Sequence, residues 1–314
     1  MPIAFTFPGQ GSQSVGMMAG FDAHPLIRST FDEASQALGQ DLWDLATSGP
    51  DADLNQTVNT QPLMLTAGIA VWRAWLSAGG PAPSVVAGHS LGEYTALVAA
   101  GALPFGDAVS LVRFRAQAMQ EAVPAGVGAM AAILGLDAAA VTAVCAEATD
   151  GPLSGRICEP VNFNGPEQIV IAGHKDAVER AIEVATARGA KRGMLLPVSA
   201  PFHSSLMRPA AERLAGRLAG MTIAVPLIPV LHNVDVAERR DAASIRTALA
   251  RQAASPVRWV ETIEAFAARG VTHVVECGPG RVLTGLNKRI VRGLKSFALT
   301  DGADIDATRT ALAG

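Results

Sequence analysis

The segment GHSLGEYTAL, residues 88–97, follows an apolar run and constrains the fold more than any other part of the chain. Gly-x-Ser-x-Gly between a buried strand and a helix is typical of a nucleophile elbow. The turn is so tight that side chains at Gly88 or Gly92 would collide with neighbouring backbone. It lifts the Ser90 hydroxyl above the sheet edge, beside free N–H groups at a helix N-terminus. Because five-residue matches also occur by chance, a strand–helix turn with an incidental serine is the alternative interpretation.

Strand and helix patterns alternate along most of the chain, which is typical of an α/β protein with a mostly parallel sheet and helices on both faces. Strands are predicted at residues 3–7, 85–88, 228–234, 272–277 and 296–301. Helices are predicted at residues 61–78, 93–100, 106–122, 255–270 and within 278–290.

A different pattern occupies the stretch between residues 125 and 198. It predicts a strand at 128–136, a helix at 137–149 with Asp137 as N-cap, strands at 157–165 and 167–173 around an Asn164-Gly165 turn, a helix at 175–189 and a strand at 191–199. The order βαββαβ indicates a ferredoxin-like unit. We therefore expect a larger domain made of residues 1–124 and 199–314, with residues 125–198 inserted as a small subdomain.

Composition narrows the class of protein. The chain has 314 residues, 49% of them hydrophobic and 17% charged, which suits a large packed core rather than disorder. The formal net charge of −3 argues against nucleic acid as a main partner. The three cysteines are scattered without metal spacing, which favours a reducing compartment. With no basic segment near the start and no apolar run of membrane length, we expect a cytoplasmic enzyme.

A serine nucleophile needs a base, and six histidines are available. His203 lies in a proline-containing loop just after the insert, and loops at such junctions are where clefts form, so it ranks first. His89 is adjacent to Ser90, but neighbouring side chains at an elbow point apart. His232 suits a core histidine bonded to backbone. No acid between Ser90 and His203 stands out as a third catalytic group, because most acids there lie at exposed helical positions.

Arg115 lies on the apolar face of the predicted helix 106–122, in line with Leu111, Ala118 and Ala122. A charge on such a face needs an anionic partner, since an unpaired buried charge is costly. One interpretation is an internal ion pair or a side chain that extends to solvent. The other is a two-pronged clamp for a substrate carboxylate. The sequence alone leaves both open.

The loop FPGQGSQ, residues 7–13, follows the first predicted strand. Its Gly9-x-Gly11 lacks the third glycine of a dinucleotide-binding fingerprint, because Ser14 stands there, so we do not expect a nucleotide site. A parallel strand that ends beside the elbow can instead aim the N–H of Gln10 at the same point as that of Leu91. Two such donors make an oxyanion hole.

Six motifs in order resemble the malonyl-CoA:acyl carrier protein transacylases, and are also similar to the acyltransferase domains of polyketide synthases. They are FPGQGSQ, GHSLGEYTAL, VNFNGPEQ at 161–168, PFHS at 201–204, SPVRW at 255–259 and GPGRVLTGL at 278–286. The resemblance runs nearly the whole chain. It implies an α/β-hydrolase-like core with parallel sheet and an inserted ferredoxin-like subdomain.

The resemblance also implies a role for each site residue. Ser90 is the acyl-carrying nucleophile, His203 the general base, and Gln252 the residue whose carbonyl orients that histidine in place of a carboxylate. Gln10 and Leu91 match the two residues whose backbone N–H groups form the oxyanion hole, and Arg115 matches the arginine that binds the malonyl carboxylate. His89, Asn162 and Phe202 match residues that line the substrate cleft.

The implied reaction passes a malonyl group from malonyl-CoA to Ser90 and then to the phosphopantetheine thiol of an acyl carrier protein, for fatty acid biosynthesis. Coenzyme A is part of the substrate, and no metal or other cofactor is implied. We expect a monomer that binds neither nucleic acid nor a membrane. The alternatives are a serine hydrolase or thioesterase, with water as acceptor, and an acyltransferase that serves polyketide synthesis.

Overall fold

A computed structural model describes residues 2–21 and 24–313 of the chain. The strands are β1 Ile3–Phe7, β2 Val85–Gly88, β3 Gly128–Leu134, β4 Cys158–Gly165, β5 Gln168–His174, β6 Arg192–Leu195, β7 Val230–Leu231, β8 His273–Cys277 and β9 Lys295–Leu299. The α-helices are α1 Pro25–Leu38, α2 Leu42–Thr47, α3 Asp51–Leu54, α4 Thr57–Ser77, α5 Gly92–Ala99, α6 Phe105–Gln120, α7 Ala138–Ala148, α8 Lys175–Ala187, α9 Arg208–Ala219, α10 Ala242–Gln252, α11 Trp259–Ala268, α12 Val282–Ile290 and α13 Gly302–Ala313.

The larger sheet has five parallel strands in the order β7-β2-β1-β8-β9. Every residue of β1, β2 and β8 is buried, as expected of strands that helices cover on both faces. β1 and β2 run side by side, with Phe7 opposite Gly88, so the loop after β1 and the turn after β2 leave the sheet at the same edge. This confirms the predicted α/β class and brings two of the sequence motifs together.

The smaller sheet has four antiparallel strands in the order β4-β5-β3-β6. With α7 and α8 it gives the predicted βαββαβ order, and the strand order is that of a ferredoxin-like unit. A separate apolar core includes Ile133, Ile171, Val141 and Val178. Asp137 caps α7 by accepting a hydrogen bond from the backbone of Ala140, as predicted. The outermost residues of the predicted ranges, Met1 and Gly314, lie outside the described residues.

Several predicted element bounds are wrong. The turn between β4 and β5 is at residues 166–167, because Asn164 and Gly165 still belong to β4. β6 ends at Leu195, well before the predicted residue 199, and Pro197 beyond it has no N–H for a ladder. α4 begins four residues before the predicted start and contains Pro62. α11 begins only at Trp259.

Backbone hydrogen bonds join the small sheet to the loop before α11. Val257, in the loop before α11, donates its N–H to the carbonyl of Val161 and accepts from the N–H of Phe163, at 2.9 and 3.0 Å. Asn162 lies between these two residues on β4 and is opposite Val257 in an isolated bridge. The small sheet is therefore fastened beside the edge of the large sheet where the elbow lies.

No helix in residues 2–21 and 24–313 is long and apolar enough to span a bilayer.

Candidate active site

Ser90 lies at a strained turn between β2 and α5. Its φ is 52°, a left-handed conformation that non-glycine residues rarely adopt. A Cβ at Gly88 would come within 1.8 Å of the backbone of Gly92, and a Cβ at Gly92 within 2.0 Å of the Phe7 carbonyl oxygen. Both positions must therefore be glycine, because the start of α5 packs directly against the end of β2 and against the end of β1. Strain of this kind is common where a side chain must be held for function.

His203 contacts the serine from the loop before α9. Its Nε2 is 2.6 Å from Ser90 Oγ, and its Nδ1 is 2.9 Å from the carbonyl oxygen of Gln252. Because a carbonyl only accepts, Nδ1 carries the hydrogen and Nε2 presents a lone pair to the serine hydroxyl. The structure thus brings together the three residues to which the sequence assigned catalytic roles.

The surroundings of His203 favour the neutral imidazole. Burial, and then the positive charge of Arg115, lower the pKa of His203 from its ordinary value of 6.5 to about 3. An uncharged imidazole with its lone pair towards a hydroxyl is ready to accept a proton at neutral pH.

Arg115, on α6, is only 1% exposed, so it does not extend to solvent. Its guanidinium donates to Gln61 Oε1 at 2.7 Å, Gln252 Oε1 at 2.9 Å and Ser90 Oγ at 3.2 Å, and lies 5.4 Å from the centre of the Tyr94 ring. Burial lowers its pKa, although arginine remains charged in proteins. These hydrogen-bond acceptors are all neutral, and within the described chain no carboxylate lies at ion-pair distance. The internal ion pair that the sequence allowed for Arg115 is therefore absent from the described residues.

Gln10 and Leu91, the residues predicted to supply oxyanion donors, line the same cleft as Ser90. Leu91 precedes α5, and Gln10 follows the end of β1. The glycine before Gln10 is pressed against the elbow, since a Cβ at Gly9 would be 2.5 Å from the carbonyl oxygen of His89. Among the hydrogen bonds of the described residues, neither the Gln10 nor the Leu91 N–H has an acceptor. Both are free to bind an oxyanion.

An open cleft of about 170 Å³ leads to Ser90, between the two sheets. His89, Asn162 and Phe202 line it, as the sequence predicts. His89 binds Asn164 Oδ1 through Nε2 at 2.7 Å, which leaves His203 as the histidine bonded to Ser90. Asn164 lines it as well, and the remaining side chains on the small-sheet side are apolar: Met130, Val170, Leu196 and Val198. No group of three metal-ligating side chains occurs in the described part of the chain.

His232 is a buried core histidine, as expected, but the expected bond to backbone is wrong. Its Nδ1 binds a carboxylate oxygen of Glu93 at 2.7 Å, not backbone, and both side chains are fully buried. The next residue, Asn233, accepts the Ser90 N–H and donates to the Gly88 carbonyl, both at 2.7 Å. The segment that follows β7 therefore holds the elbow from behind. The sequence reasoning missed Glu93, Asn233 and Gln61, although an acid in the apolar start of α5 was a usable signal.

Another missed contact fixes the loop that carries the base. Glu159, on β4, accepts the backbone N–H of Ser205 at 2.7 Å and its hydroxyl at 2.8 Å. Ser205 is two residues beyond His203, whose φ of 67° also needs support from its surroundings. The small sheet thus helps to position the base as well as lining the cleft.

The chain matches the acyl transferase domain family over residues 4–311. It is 54% identical to the malonyl CoA-acyl carrier protein transacylase of Salmonella typhimurium, with 98% of each chain covered. An acyl-carrier-protein S-malonyltransferase structure from Burkholderia pseudomallei matches at TM-score 0.96 and 58% identity, over 99% of this chain and 100% of the other. A malonyl-transacylase in complex with a holo acyl-carrier protein of a type II polyketide synthase matches at TM-score 0.96 and 50% identity, over 99% and 100%.

Proposed function

The chain belongs to the malonyl-CoA:acyl carrier protein transacylases of the acyl transferase family, and we propose that it moves a malonyl group from malonyl-CoA to a carrier-protein thiol through an ester on Ser90. It is an acyltransferase. The observation that carries the substrate assignment is Arg115, a buried guanidinium 3.2 Å from Ser90 Oγ whose partners are all neutral. A malonyl carboxylate supplies the anion that this cation lacks.

In the first half-reaction, Ser90 Oγ attacks the thioester carbonyl carbon while His203 Nε2 takes the hydroxyl proton. The Gln252 carbonyl accepts the hydrogen bond from Nδ1–H and so stabilises the imidazolium that forms. The N–H groups of Gln10 and Leu91 bind the oxyanion of the tetrahedral intermediate. The C–S bond then breaks, and the departing thiolate of coenzyme A takes the proton from His203.

The second half-reaction repeats these steps in reverse. The phosphopantetheine thiol of the carrier protein gives its proton to His203 and attacks the malonyl ester. The C–O bond to Ser90 breaks, and the serine oxygen recovers the proton. The same residues serve both halves, because each half exchanges one acyl acceptor for another at the same carbon.

Selection among acyl groups depends on two features of the cleft. Arg115 binds a carboxylate, and acetyl-CoA would leave the guanidinium without its anion. Phe202 is buried, lines the cleft and precedes the base, so it narrows the space beside the α-carbon of the malonyl group. A methyl branch at that carbon should make methylmalonyl-CoA a poorer donor.

Fatty acid biosynthesis is the pathway we infer, with the acyl carrier protein as partner. The polyketide alternative stays open because one similar structure pairs a malonyl-transacylase with a polyketide synthase carrier. A monomer in the cytoplasm remains a prediction from the sequence.

A partition experiment tests transfer against hydrolysis. Enzyme acylated with malonyl-CoA is freed of excess donor and mixed with either buffer or a holo carrier protein. We expect the malonyl group to leave for the carrier thiol much faster than for water. Release at one rate in both mixtures would favour the hydrolase alternative.

A further inference from the structure

Behind the elbow lies a buried carboxylate that the reaction described above does not use. Glu93 is on the first turn of α5, is fully buried, and accepts hydrogen bonds from three N–H donors. They are His232 Nδ1 at 2.7 Å, the backbone N–H of Asn233 at 2.9 Å and Gln252 Nε2 at 2.9 Å. The donors come from the segment just after β7 and from the end of α10, so one side chain ties both of these to α5.

Two of the three contacts of Glu93 lead to residues that act in the reaction. Through Asn233 it reaches the backbone N–H of Ser90. Through Gln252 it reaches the base, because the carbonyl of this residue holds His203 Nδ1. The side chain of Gln252 also donates to the Ser90 carbonyl at 2.8 Å and accepts from Arg115 Nη2 at 2.9 Å.

The Gln252 amide can lie in only one orientation between these charges. Its oxygen faces the Arg115 cation, and its NH₂ group faces the Glu93 anion. Turning the amide over would set a donor against a donor and an acceptor against an acceptor. The carboxylate of Glu93 therefore orients the Gln252 amide, and this amide in turn orients the Arg115 guanidinium. The negative charge of Glu93 also offsets part of the free-energy cost of burying that guanidinium.

We propose that Glu93 is a positioning residue for malonyl selection, which holds Gln252 and through it keeps Arg115 aimed at the substrate carboxylate beside Ser90. The inference rests on the proposed function, since it concerns how that function selects its donor. A merely structural carboxylate would change stability without changing the preference for one donor over another.

The test compares Glu93→Gln with a matched control, Glu276→Gln. Glu276 is also fully buried, but its carboxylate caps α12 through the N–H groups of Leu283 and Thr284. The readout is the rate of Ser90 acylation by malonyl-CoA and by acetyl-CoA, followed by intact mass, with kcat and KM separated. Thermal unfolding of each variant reports whether it is folded.

We expect Glu93→Gln to lower kcat/KM for malonyl-CoA by about 10- to 100-fold, the scale of an ångström misplacement at a reacting centre. The ratio of malonyl to acetyl acylation should fall with it, because Arg115 loses its fixed position. Glu276→Gln should keep the wild-type ratio, whatever it does to the unfolding temperature. A folded Glu93→Gln enzyme with the wild-type ratio would overturn the proposal, even if its rates were lower.

Glu93→Asp is a second variant for the case in which Glu93→Gln does not fold. It keeps the negative charge, but its side chain is one methylene group shorter. It should recover part of the lost malonyl preference, and a wild-type ratio together with a wild-type rate would also overturn the proposal. Failure of the proposed function is a separate result, because it would appear as no malonyl adduct on the wild-type enzyme.

Discussion

The two sheets of this protein meet at one cleft and contribute different things to it. The part of the chain built around the parallel sheet supplies Ser90, the base, the Gln252 carbonyl and the oxyanion donors, and short hydrogen bonds join the first three. The antiparallel sheet and the segment after it supply two polar side chains, Asn162 and Asn164, and several apolar ones to the opposite wall. The difference teaches that the reacting groups lie at the edge of the parallel sheet, while the small subdomain encloses the space above them and, through Glu159, helps to hold the base loop.

The buried polar groups are distributed in the same way. Behind the elbow, Glu93, His232, Asn233 and Gln252 form a network without exposure to solvent. The core of the small subdomain is instead apolar, with Ile133, Ile171 and Val178 among its members. A hydrogen-bonded polar network favours one arrangement of its members, whereas an apolar core tolerates repacking. Substitutions should therefore affect chemistry much more strongly on the parallel-sheet side.

The largest effect after loss of the nucleophile itself should come from the base. His203→Ala should slow acylation by at least ~10²-fold, the usual scale for loss of a general base. Stopped-flow or quenched acylation with malonyl-CoA measures this rate. His89→Ala, on the other side of Ser90, is the comparison variant, and a larger loss there in a folded protein would mean that the base is misassigned.

Arg115→Ala should separate charged from uncharged donors. A buried guanidinium–carboxylate contact is worth roughly 2–4 kcal/mol, or about 30- to 1,000-fold in rate, so malonyl transfer should fall by that factor. Acetyl transfer should fall less, so relative activity towards uncharged acyl groups should rise. Parallel assays with malonyl-CoA and acetyl-CoA give the ratio. Equal losses for both donors would show that Arg115 is structural.

A smaller effect is expected from the small-sheet wall. Asn162→Ala removes a cleft-facing amide that contacts neither Ser90 nor His203, so it should raise KM by about 10-fold or less and leave kcat nearly unchanged. Steady-state kinetics with malonyl-CoA separates the two. If Asn162→Ala lowered kcat as much as His203→Ala does, the small-sheet wall would take part in the chemistry, which would contradict the division of roles between the two sheets.

The smallest expected effect is that of pH. The pKa of His203 is lowered to about 3, so the base stays neutral from the ordinary histidine value of 6.5 down to that pH. The acylation rate should therefore be flat between about pH 5 and 8. His203 becomes protonated at a lower pH in the folded state than in the unfolded chain. Its contribution to the free energy of unfolding therefore increases as the pH rises from about 3 to 6.5. A rate that halves near pH 6.5 would contradict the environment described for His203.

The features that the sequence predicted correctly are those whose residues lie close together in the chain. The elbow could be recognised because Gly88, Ser90 and Gly92 act within one turn, and the βαββαβ order followed from strand and helix periodicity. The turn after β4 was misplaced because Asn164-Gly165 favours a turn locally, while pairing with β5 extends the strand through it.

The site was predicted less completely than the fold. His203 and Arg115 could be selected because a histidine in a junction loop and a charge on an apolar face are unusual. The partners of Glu93 could not be assigned by such reasoning, since they come from the segment after β7 and from the end of α10, about 140 to 160 residues away in sequence. The same holds for Asn233, which bonds to the elbow about 140 residues before it. A network that closes over such distances leaves no spacing pattern in the chain.

The central claim is that Ser90 carries the malonyl group as an ester. Intact mass after brief mixing with malonyl-CoA tests it most directly, with peptide mapping to place the adduct and Ser90→Ala as control. The account predicts one malonyl group per chain, on Ser90, which the Ser90→Ala protein lacks and which a holo carrier protein removes. An enzyme that transfers malonyl groups without this adduct, or a Ser90→Ala protein that transfers them at a near-normal rate, would contradict it.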